Sequence, residues 1–467
     1  MTIIFHPEDG QEATMHAPEP SQVPFGAAFR KAHFAFGPNY TPLNHGSYGT
    51  TPASVRRAHE RLRAAADAAP DPFIALEFHG RLAPQRALAA RALNCANPDE
   101  LVFVPNATTG SDTVLKNLDW RDGDVILCYE RVYDSLGRGI AWVGETRGVE
   151  VRVVRVAWPV ADDELVEAMV EAARRINAEP ASGQGRGARR RRVRLAVVDT
   201  VVSMPGFRVP FERLVPALRA EGALVLVDGA HGIGHVDIDL AALDPDFFVT
   251  NLHKWFFVPR GCAAFYVPVR NQHLIRTTLP TSHKFRPRKE LGSRQKTTKS
   301  EEEEEARLFA EMFDFTGTDD TTAWLCVQAA IDFRDKVCGG DAAIKKYCHD
   351  VAQRSAEAAA EILGTSIMDT PGSCMRDCFF ANVRLPLELG TDGPGKVDPA
   401  HADKVCDWFK ETGSRESGMY FQTEFYRNVW WWRISGMVYV DVDDFKRGAE
   451  VLKGLCERVR NGEHAKG

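Results

Sequence analysis

Seven short apolar runs, most of them separated by helix-like segments, constrain the fold of this chain more strongly than any other feature of its sequence. Runs that are apolar throughout are typical of strands buried on both faces, and helical connections between them favour parallel pairing. The sequence therefore predicts an α/β fold with a mainly parallel sheet of seven strands, at residues 101–104, 124–129, 149–156, 195–202, 223–228, 246–250 and 262–267.

The length of the chain exceeds what one hydrophobic core usually supports. Its 467 residues suit a large domain and a smaller one. We expect a flexible arm at 1–25, an entry segment at 26–60, a large domain at 61–319 and a smaller α+β domain at 320–467. The net charge of −6 gives no general electrostatic reason for binding nucleic acid or an anionic membrane.

The sequence carries no pattern typical of export, membrane insertion or metal binding. Its first nine residues have neither a basic region nor a sustained apolar core, and no apolar run approaches the length of a bilayer span. The ten cysteines form no CxxC pair, and the closest two are Cys374 and Cys378. We therefore expect a cytosolic protein with reduced thiols, without a zinc site or a disulfide framework.

Two apolar runs that lead into Asp228 and Lys254 carry the strongest chemical signal. A lysine at a strand end is usually a solvated charge, but an amine removed from water has a lowered pKa and can act as a nucleophile. A buried carboxylate such as Asp228 requires a cationic partner, because burying it alone is costly. The 26 positions from Asp228 to Lys254 accommodate one helical connection and one strand, so both residues can reach one pocket.

The stretches VLVDGAH, residues 225–231, and DFFVTNLHKW, residues 246–255, resemble motifs of the fold-type I, aminotransferase class V family. The resemblance extends from about residue 40 to about residue 440 and implies pyridoxal 5'-phosphate as the cofactor. It implies that Lys254 holds the cofactor covalently and carries protons at the substrate α-carbon. It also implies that Asp228 pairs with the ring nitrogen and His231 with the ring oxygen.

The turn from the strand at 101–104 into the next helix offers a site for a phosphate. Threonine hydroxyls lie there beside the N–H groups of a helix start, which favours an anion, although many such turns bind nothing. The resemblance implies that this turn and the lysine motif bind the cofactor phosphate, through Ala107, Thr108, Thr109, Asn251 and His253.

Tyr133 follows the strand that ends at Tyr129. The resemblance places Tyr133 against the pyridine ring, where stacking would hold the ring plane. Its phenol would then also be the candidate acid for the leaving group. A tyrosine packed on the surface is the alternative interpretation.

Two polar stretches far apart in the sequence are candidates for substrate binding. In VWWWRISGMVY, residues 429–439, the guanidinium of Arg433 either makes a cation–π contact or binds a carboxylate. The family's R-I-S signature implies that Arg433 binds the α-carboxylate of an amino-acid substrate. The stretch TPLNHGSYGTTP, residues 41–52, is similar to a family segment beside the active site, which implies contacts from Asn44, His45 and Ser47.

Other segments are interpreted by their position. FTGTDD, residues 315–320, resembles a family T-G-T segment, which implies that Thr318 reaches the cofactor phosphate of the neighbouring subunit in a homodimer with shared sites. Without the resemblance it is a helix-capping turn. DTVVSMPG, residues 199–206, matches a segment that lines the cofactor site, but Thr200 stands where many relatives have His. The basic stretch 182–194 is interpreted as a solvated loop. The polar stretch 284–305 is interpreted as a flexible loop that leads into an acidic helix start.

The cofactor alone leaves transamination, desulfuration, epimerisation and β-elimination open. Relatives that desulfurate cysteine carry a nucleophilic cysteine on a loop after the lysine domain, and this chain has no cysteine between Cys262 and Cys326. The motifs NHGSYG, NATT, LVDGAHG and NLHKW are most similar to the isopenicillin N epimerase-like branch, which includes fungal carbon–sulfur lyases. The resemblance therefore implies a lyase acting on a cysteine-sulfoxide conjugate. An epimerase, an aminotransferase, a cysteine desulfurase and a noncatalytic binding protein are the alternatives.

Overall fold

The computed structural model describes residues 23–180, 190–287, 299–391 and 395–465, except for the side chains of 299–302. The predicted arm at 1–25 and the basic loop at 182–194 lie mostly outside these ranges, and the polar stretch 284–305 lies partly outside them. A helix begins at Lys299 within that stretch, where the sequence predicts a helix start.

Helices and strands alternate along most of the described chain. The strands are β1 (Leu101–Val104), β2 (Asp124–Tyr129), β3 (Glu150–Val154), β4 (Arg192–Asp199), β5 (Val201–Val202), β6 (Phe207–Arg208), β7 (Leu224–Asp228), β8 (Phe247–Asn251), β9 (Ala263–Tyr266), β10 (Phe380–Arg384), β11 (Glu388–Leu389), β12 (Lys396–Val397), β13 (Thr423–Tyr426) and β14 (Val429–Ser435). The α-helices are α1 (Ala27–His33), α2 (His45–Tyr48), α3 (Ala53–Ala68), α4 (Pro70–Pro72), α5 (Phe78–Ala92), α6 (Ala107–Asn117), α7 (Asp134–Arg147), α8 (Asp162–Ala178), α9 (Phe211–Ala220), α10 (Leu240–Leu243), α11 (Leu252–Trp255), α12 (Val269–Gln272), α13 (Lys299–Asp314), α14 (Val327–Asp332), α15 (Asp341–Leu363), α16 (Ala402–Ser417) and α17 (Val442–Arg460). Short π-helices lie at Phe73–Glu77 and Phe333–Val337, and short 3-10 helices at Pro98–Glu100, Thr322–Cys326, Pro399–His401 and Glu463–Ala465.

The central sheet has seven strands in the order β1-β9-β8-β7-β4-β2-β3. Strands β8, β7, β4, β2 and β3 run parallel, and β9 is antiparallel to both β8 and β1. The prediction of an α/β fold with a mainly parallel seven-stranded sheet is therefore confirmed.

The sheet is buried on both faces, as its apolar runs require. Along β1, Leu101 and Phe103 pack into one hydrophobic cluster, whereas Val102 and Val104 pack into another. Because successive side chains of a strand point to opposite faces, these two clusters are the cores on the two sides of the sheet.

One predicted strand is shifted by three residues toward the N-terminus, because the run predicted at 195–202 is a strand at Arg192–Asp199. The run 195–202 was expected to be continuous, but β4 ends at Asp199 and Val201–Val202 pairs instead with Phe207–Arg208. The chain leaves the sheet at Thr200, whose N–H donates to the carbonyl of Asp228 at 3.0 Å. The break places Asp199 and Asp228 side by side at the carboxyl ends of adjacent strands.

A second, antiparallel sheet follows in the order β10-β14-β13, with α15, α16 and α17 packed around it. It carries Arg433 on its central strand β14. A shared hydrophobic cluster joins this part to the large sheet, through Trp255 and Phe257 on one side and Phe333 and Phe380 on the other. The domain boundary at residue 320 remains a prediction.

Among the helices of the described residues, none combines the length and apolar character that crossing a bilayer requires.

Candidate active site

Lys254 lies in α11, the short helix that directly follows β8. Its Nζ is 3.1 Å from Nε2 of His231, and Nδ1 of the same imidazole accepts a hydrogen bond from Nε1 of Trp255 at 3.1 Å. Burial lowers the pKa of His231 well below its usual range, so the ring is neutral. Because Nδ1 accepts, the network assigns the proton to Nε2, which then donates to the lone pair of an uncharged Lys254 amine.

The electrostatic surroundings of Lys254 favour this uncharged form. Burial lowers the pKa of Lys254 to about 8, the nearby Asp228 opposes the shift, and Arg433 adds to it. A lysine amine with such a pKa is the kind of nucleophile and base that the sequence analysis expected.

The pKa of Lys254 predicts a pH dependence for cofactor attachment. With a pKa of about 8, the amine is mainly neutral above that pH and mainly protonated below it. In protein freed of cofactor, the rate at which Lys254 reacts with added pyridoxal phosphate should rise about ten-fold per pH unit below pH 8 and level off above it. Stopped-flow absorbance would measure this rate. Because Asp228 raises the pKa of Lys254, the Asp228→Asn variant should level off at a lower pH. A rate that keeps rising toward the pKa of an ordinary lysine would contradict the assignment.

Asp228 and Asp199 form a pair of buried carboxyl groups at the strand ends. The Oδ1 atom of Asp228 accepts from the backbone N–H of Ala230 at 2.9 Å, and burial raises the pKa of Asp228. Burial and the charge of Asp228 raise the pKa of Asp199 well above its usual range. The hydroxyl of Tyr129 donates to Oδ2 of Asp199 at 2.6 Å and accepts from its backbone N–H at 2.8 Å. Tyr129 was not predicted as a site residue, although its hydroxyl at the last position of an apolar strand could have indicated it.

The predicted phosphate turn is held together by contacts within the protein. Oδ1 of Asn106 caps α6 by accepting from the N–H of Thr109 at 2.9 Å, and the N–H of Ala107 donates to Oδ1 of Asn251 at 2.9 Å. Thr108 lies between these two engaged N–H groups at the start of an eleven-residue helix. The Oγ atom of Ser111, one turn further, is buried and has no partner among the described residues.

His253 is anchored by a contact with the backbone. Its Nδ1 lies 3.0 Å from the carbonyl oxygen of Cys262, and burial lowers the pKa of this imidazole to about 4. The ring is therefore neutral at physiological pH, and any contact with a phosphate would be a hydrogen bond rather than an ion pair.

Arg433 is almost completely buried, with 1% of its surface exposed. Its Nη2 donates to Oδ1 of Asn44 at 2.7 Å and to Oγ of Ser47 at 3.0 Å, and its Nη1 donates to the carbonyl of Ser203 at 2.6 Å. The guanidinium also lies 4.3 Å from the centroid of the Phe380 ring. Both interpretations of Arg433 stay open, because the cation–π contact exists and the direct hydrogen-bond partners of the guanidinium are neutral.

His45, the third residue predicted to contact substrate, has a different role in the structure. Its Nε2 lies 2.7 Å from the carbonyl of Lys254 and its Nδ1 lies 2.6 Å from the hydroxyl of Tyr439. Burial lowers the pKa of His45 to about 3. The imidazole is therefore a neutral link between the lysine turn and the C-terminal part of the chain.

The segment that carries Asn44, His45 and Ser47 packs directly on the lysine turn. Gly49 has a φ of +63°, and a Cβ there would lie 1.9 Å from the carbonyl oxygen of His253. Arg260 donates to the backbone carbonyls of Tyr48 and Gly49 at 3.0 and 2.9 Å. This close approach explains why the NHGSYG motif needs glycine at that position.

The last two predicted residues lie at more exposed positions. Tyr133 directly precedes α7 and is 47% exposed; burial raises its pKa, and the charge of Asp228 contributes to the shift. Thr318 is exposed in the loop between Asp314 and Thr321, and the described residues show no contact between it and Lys254 of the same chain. The structure thus gathers Lys254, His231, Asp228 and Arg433 into one site and leaves Thr318 outside it.

Comparisons with known proteins identify the family. The model of the aminotransferase class V family matches residues 74–383. The L-cysteine desulfhydrase-like protein lolT1 of Epichloe uncinata is 36% identical over 464 residues, which cover 95% of this chain and 98% of the relative. Hercynylcysteine sulfoxide lyase of Schizosaccharomyces pombe is 28% identical over 426 residues, covering 91% and 97%. The solved complex of the cystine C–S lyase C-DES with cysteine persulfide has a TM-score of 0.66 at 17% identity, covers 89% of this chain and 97% of that one, and shows a shared fold.

The chain belongs to the aminotransferase class V family, and it is a pyridoxal-phosphate enzyme. The predictions of the family and of the cofactor are confirmed.

The residues present also fit this cofactor on structural grounds. Asp228 is a buried carboxyl in need of a cationic partner, Lys254 is a buried amine with a lowered pKa, and the buried hydroxyls of Ser111 and Thr200 have no partner among the described residues. Bound here, the cofactor supplies an electron sink for the charge left at the substrate α-carbon. Lys254, Asp228, His231 and the start of α6 are the groups that would hold it.

Proposed function

We propose that this protein is a carbon–sulfur lyase that cleaves hercynylcysteine sulfoxide by β-elimination. The observation that carries the proposal is the placement of a basic amine, Lys254, in one site with a buried guanidinium, Arg433, whose direct hydrogen-bond partners are all neutral. The cysteine thiols of the chain are buried and unpaired. The guanidinium would bind the α-carboxylate, which directs the α-hydrogen toward the amine. The names of the two relatives, a desulfhydrase-like protein and a sulfoxide lyase, support carbon–sulfur cleavage.

The reaction assigns one proton transfer to each of two residues. Lys254 would take the α-proton, after which the Cβ–S bond breaks and its electron pair leaves with sulfur. Tyr133 would protonate the departing sulfenate. The remaining three-carbon fragment takes up one water to give pyruvate and ammonium. Two equivalents of an added thiol reduce the sulfenic acid to ergothioneine and leave as a disulfide, with release of one water.

Cysteine desulfuration is the least supported alternative. That reaction needs a thiolate nucleophile that can reach the substrate sulfur. All ten cysteines are buried and unpaired, and burial raises the pKa of the two that flank the relevant region, Cys262 and Cys326. These properties also support a cytosolic protein with reduced thiols.

The experiment that tests the proposal compares products from several substrates. Purified enzyme loaded with cofactor is given hercynylcysteine sulfoxide, S-methylcysteine sulfoxide and cysteine, and pyruvate and ergothioneine are assayed. We expect pyruvate from the sulfoxides and ergothioneine from the first of them after addition of a thiol. Exchange of the α-hydrogen without pyruvate would show an epimerase, and a keto acid that retains sulfur would show an aminotransferase. Alanine together with a protein-bound persulfide would show a desulfurase.

We also propose a homodimer in which Thr318 binds the cofactor phosphate of the partner subunit. Thr318 is exposed, and its loop is tied to α3 by an ion pair of 3.0 Å between Arg63 and Asp320. Beyond α3 the chain continues into a π-helix where Leu76 is 78% exposed, an apolar surface that a second copy would cover. Sedimentation velocity should give a dimer, and a fully active monomer would contradict the shared site.

A further inference from the structure

The guanidinium of Arg131 is held by the same loop as that of Arg433, and the proposed reaction assigns it no role. Nη1 of Arg433 donates to the carbonyl of Ser203 at 2.6 Å, and Nε of Arg131 donates to the carbonyl of Met204 at 3.1 Å. Since the two acceptors belong to consecutive residues, one loop orients both guanidinium groups. Arg131 also lies two residues before Tyr133, the proposed acid for the leaving group.

Arg131 forms an ion pair with Glu424, a carboxylate on the same face of the small sheet as Arg433. Glu424 on β13 stands opposite Trp431 on β14, and Arg433 follows two positions later. Cross-strand partners, and residues two apart on one strand, point to the same face of a sheet. Glu424 therefore lies one row away from the guanidinium that we assign to the α-carboxylate.

The ion pair between Arg131 and Glu424 is fixed by neighbouring contacts, but each side chain keeps one polar atom without a hydrogen-bond partner among the described residues. The Arg131 guanidinium lies 4.7 Å from the centroid of the Tyr426 ring, and the Tyr426 hydroxyl donates to Oε1 of Glu130 at 3.0 Å. Within the described part of the chain, the hydrogen bonds of Arg131 come from Nε and Nη2 and not from Nη1. The Oε2 atom of Glu424 is shielded from solvent and has no partner among the described residues.

A buried carboxylate oxygen without a hydrogen-bond partner lowers the stability of the fold, so the presence of such an oxygen at Glu424 suggests a role in binding a ligand. Burial raises the pKa of Glu424, whereas Arg131 lowers it, and the net direction is upward. The side chains of Arg131 and Glu424 remain 19% and 21% exposed, so part of the ion pair borders solvent, whereas Oε2 itself does not. A ligand bearing a positive group would satisfy the carboxylate, and one bearing a negative group would satisfy the guanidinium.

We propose that Arg131 and Glu424 form a specificity subsite for the sulfur substituent of the substrate, and that this substituent is itself a zwitterion. Its carboxylate binds Arg131, and its cationic nitrogen lies against Glu424. Arg433 then binds the α-carboxylate of the cysteine half of the conjugate, while the Arg131–Glu424 pair binds the two charges of the sulfur substituent. This inference rests on the lyase function proposed above and assigns the residues that bind the sulfur substituent.

The test uses holoenzyme and four cysteine sulfoxides that differ in the sulfur substituent. The substituents are a zwitterionic 2-amino-2-carboxyethyl group, a 2-carboxyethyl group, a 2-aminoethyl group and methyl. In the wild-type enzyme, we expect the zwitterionic conjugate to have a KM about ten-fold or more below that of the methyl conjugate, with similar kcat. Equal KM values for these two would overturn the subsite, whereas the absence of pyruvate from all four would instead overturn the lyase function.

The variants Glu424→Gln and Arg131→Gln assign the two charges separately. Glu424→Gln should raise the KM of both amine-bearing conjugates by about ten-fold, and Arg131→Gln that of both carboxylate-bearing conjugates. Arg384→Gln is the matched control, because Arg384 is exposed and stands opposite Trp431 on the other neighbouring strand. A loss that is equal for all four conjugates would show a structural role for the pair and overturn the proposal.

Discussion

Replacement of Lys254 by alanine is expected to lower pyruvate formation by about 10³-fold or more, the largest effect of any single substitution in this chain. The variant loses both the amine that holds the cofactor and the base that removes the α-proton. Wild-type protein loaded with cofactor should have a visible absorbance band, and the variant should lack the band that depends on the lysine. Steady-state pyruvate assays and absorbance spectra measure the two losses independently.

A second lysine provides the control for this substitution. Lys116 forms an exposed i,i+4 ion pair with Asp112 on α6, so Lys116→Ala removes the same side chain without entering the site. It should change turnover by less than about two-fold, because exposed ion pairs contribute little. A Lys254→Ala protein that keeps its spectrum and its turnover would contradict the covalent role. A wild-type protein that stays colourless with cofactor would remove the basis for every step of the mechanism.

The sequence was sufficient to predict the large sheet because its strands are buried on both faces. Continuous apolar runs such as 223–228 have few other structures available to them, and the polar residue that ends each run marks the edge of the sheet. Asp228 and Lys254 could be placed together on that basis. The same signal is weak for 195–202, where the valines after Asp199 are apolar too and pair in a separate hairpin.

Contacts between distant segments could not be predicted in the same way. Arg131 and Glu424 are 293 positions apart, and neither lies in a pattern that distinguishes it from an ordinary surface charge. His45 was expected to contact substrate because it lies between Asn44 and Ser47, but the short helix α2 turns it toward the carbonyl of Lys254. A sequence motif identifies which residues come near a site, whereas the direction of each side chain depends on the packing of segments around it.

The neutral hydrogen-bonding environment of Arg433 also depends on such packing. Its partners come from α2 and from the loop at Ser203, and both are far from Arg433 in sequence. Asn44 and Ser47 orient the guanidinium without neutralising it, and burial lowers its pKa to about 10. The guanidinium stays charged at physiological pH, so the site contains an oriented cation that can bind the carboxylate of a substrate.

Replacement of Arg433 by glutamine is therefore expected to lower kcat/KM for a cysteine-sulfoxide substrate by about 10²-fold or more, because the α-carboxylate would lose its buried charged partner. Arg433→Lys should recover part of the loss, since an ammonium keeps the charge but cannot form two parallel hydrogen bonds to a carboxylate. Spectral titration of holoenzyme with an amino acid and with the matching amine that lacks the carboxylate isolates this contact. The wild-type preference for the amino acid should disappear in Arg433→Gln and persist in Arg384→Gln. If Arg433→Gln weakens both ligands equally, the guanidinium stabilises the fold rather than binding the carboxylate.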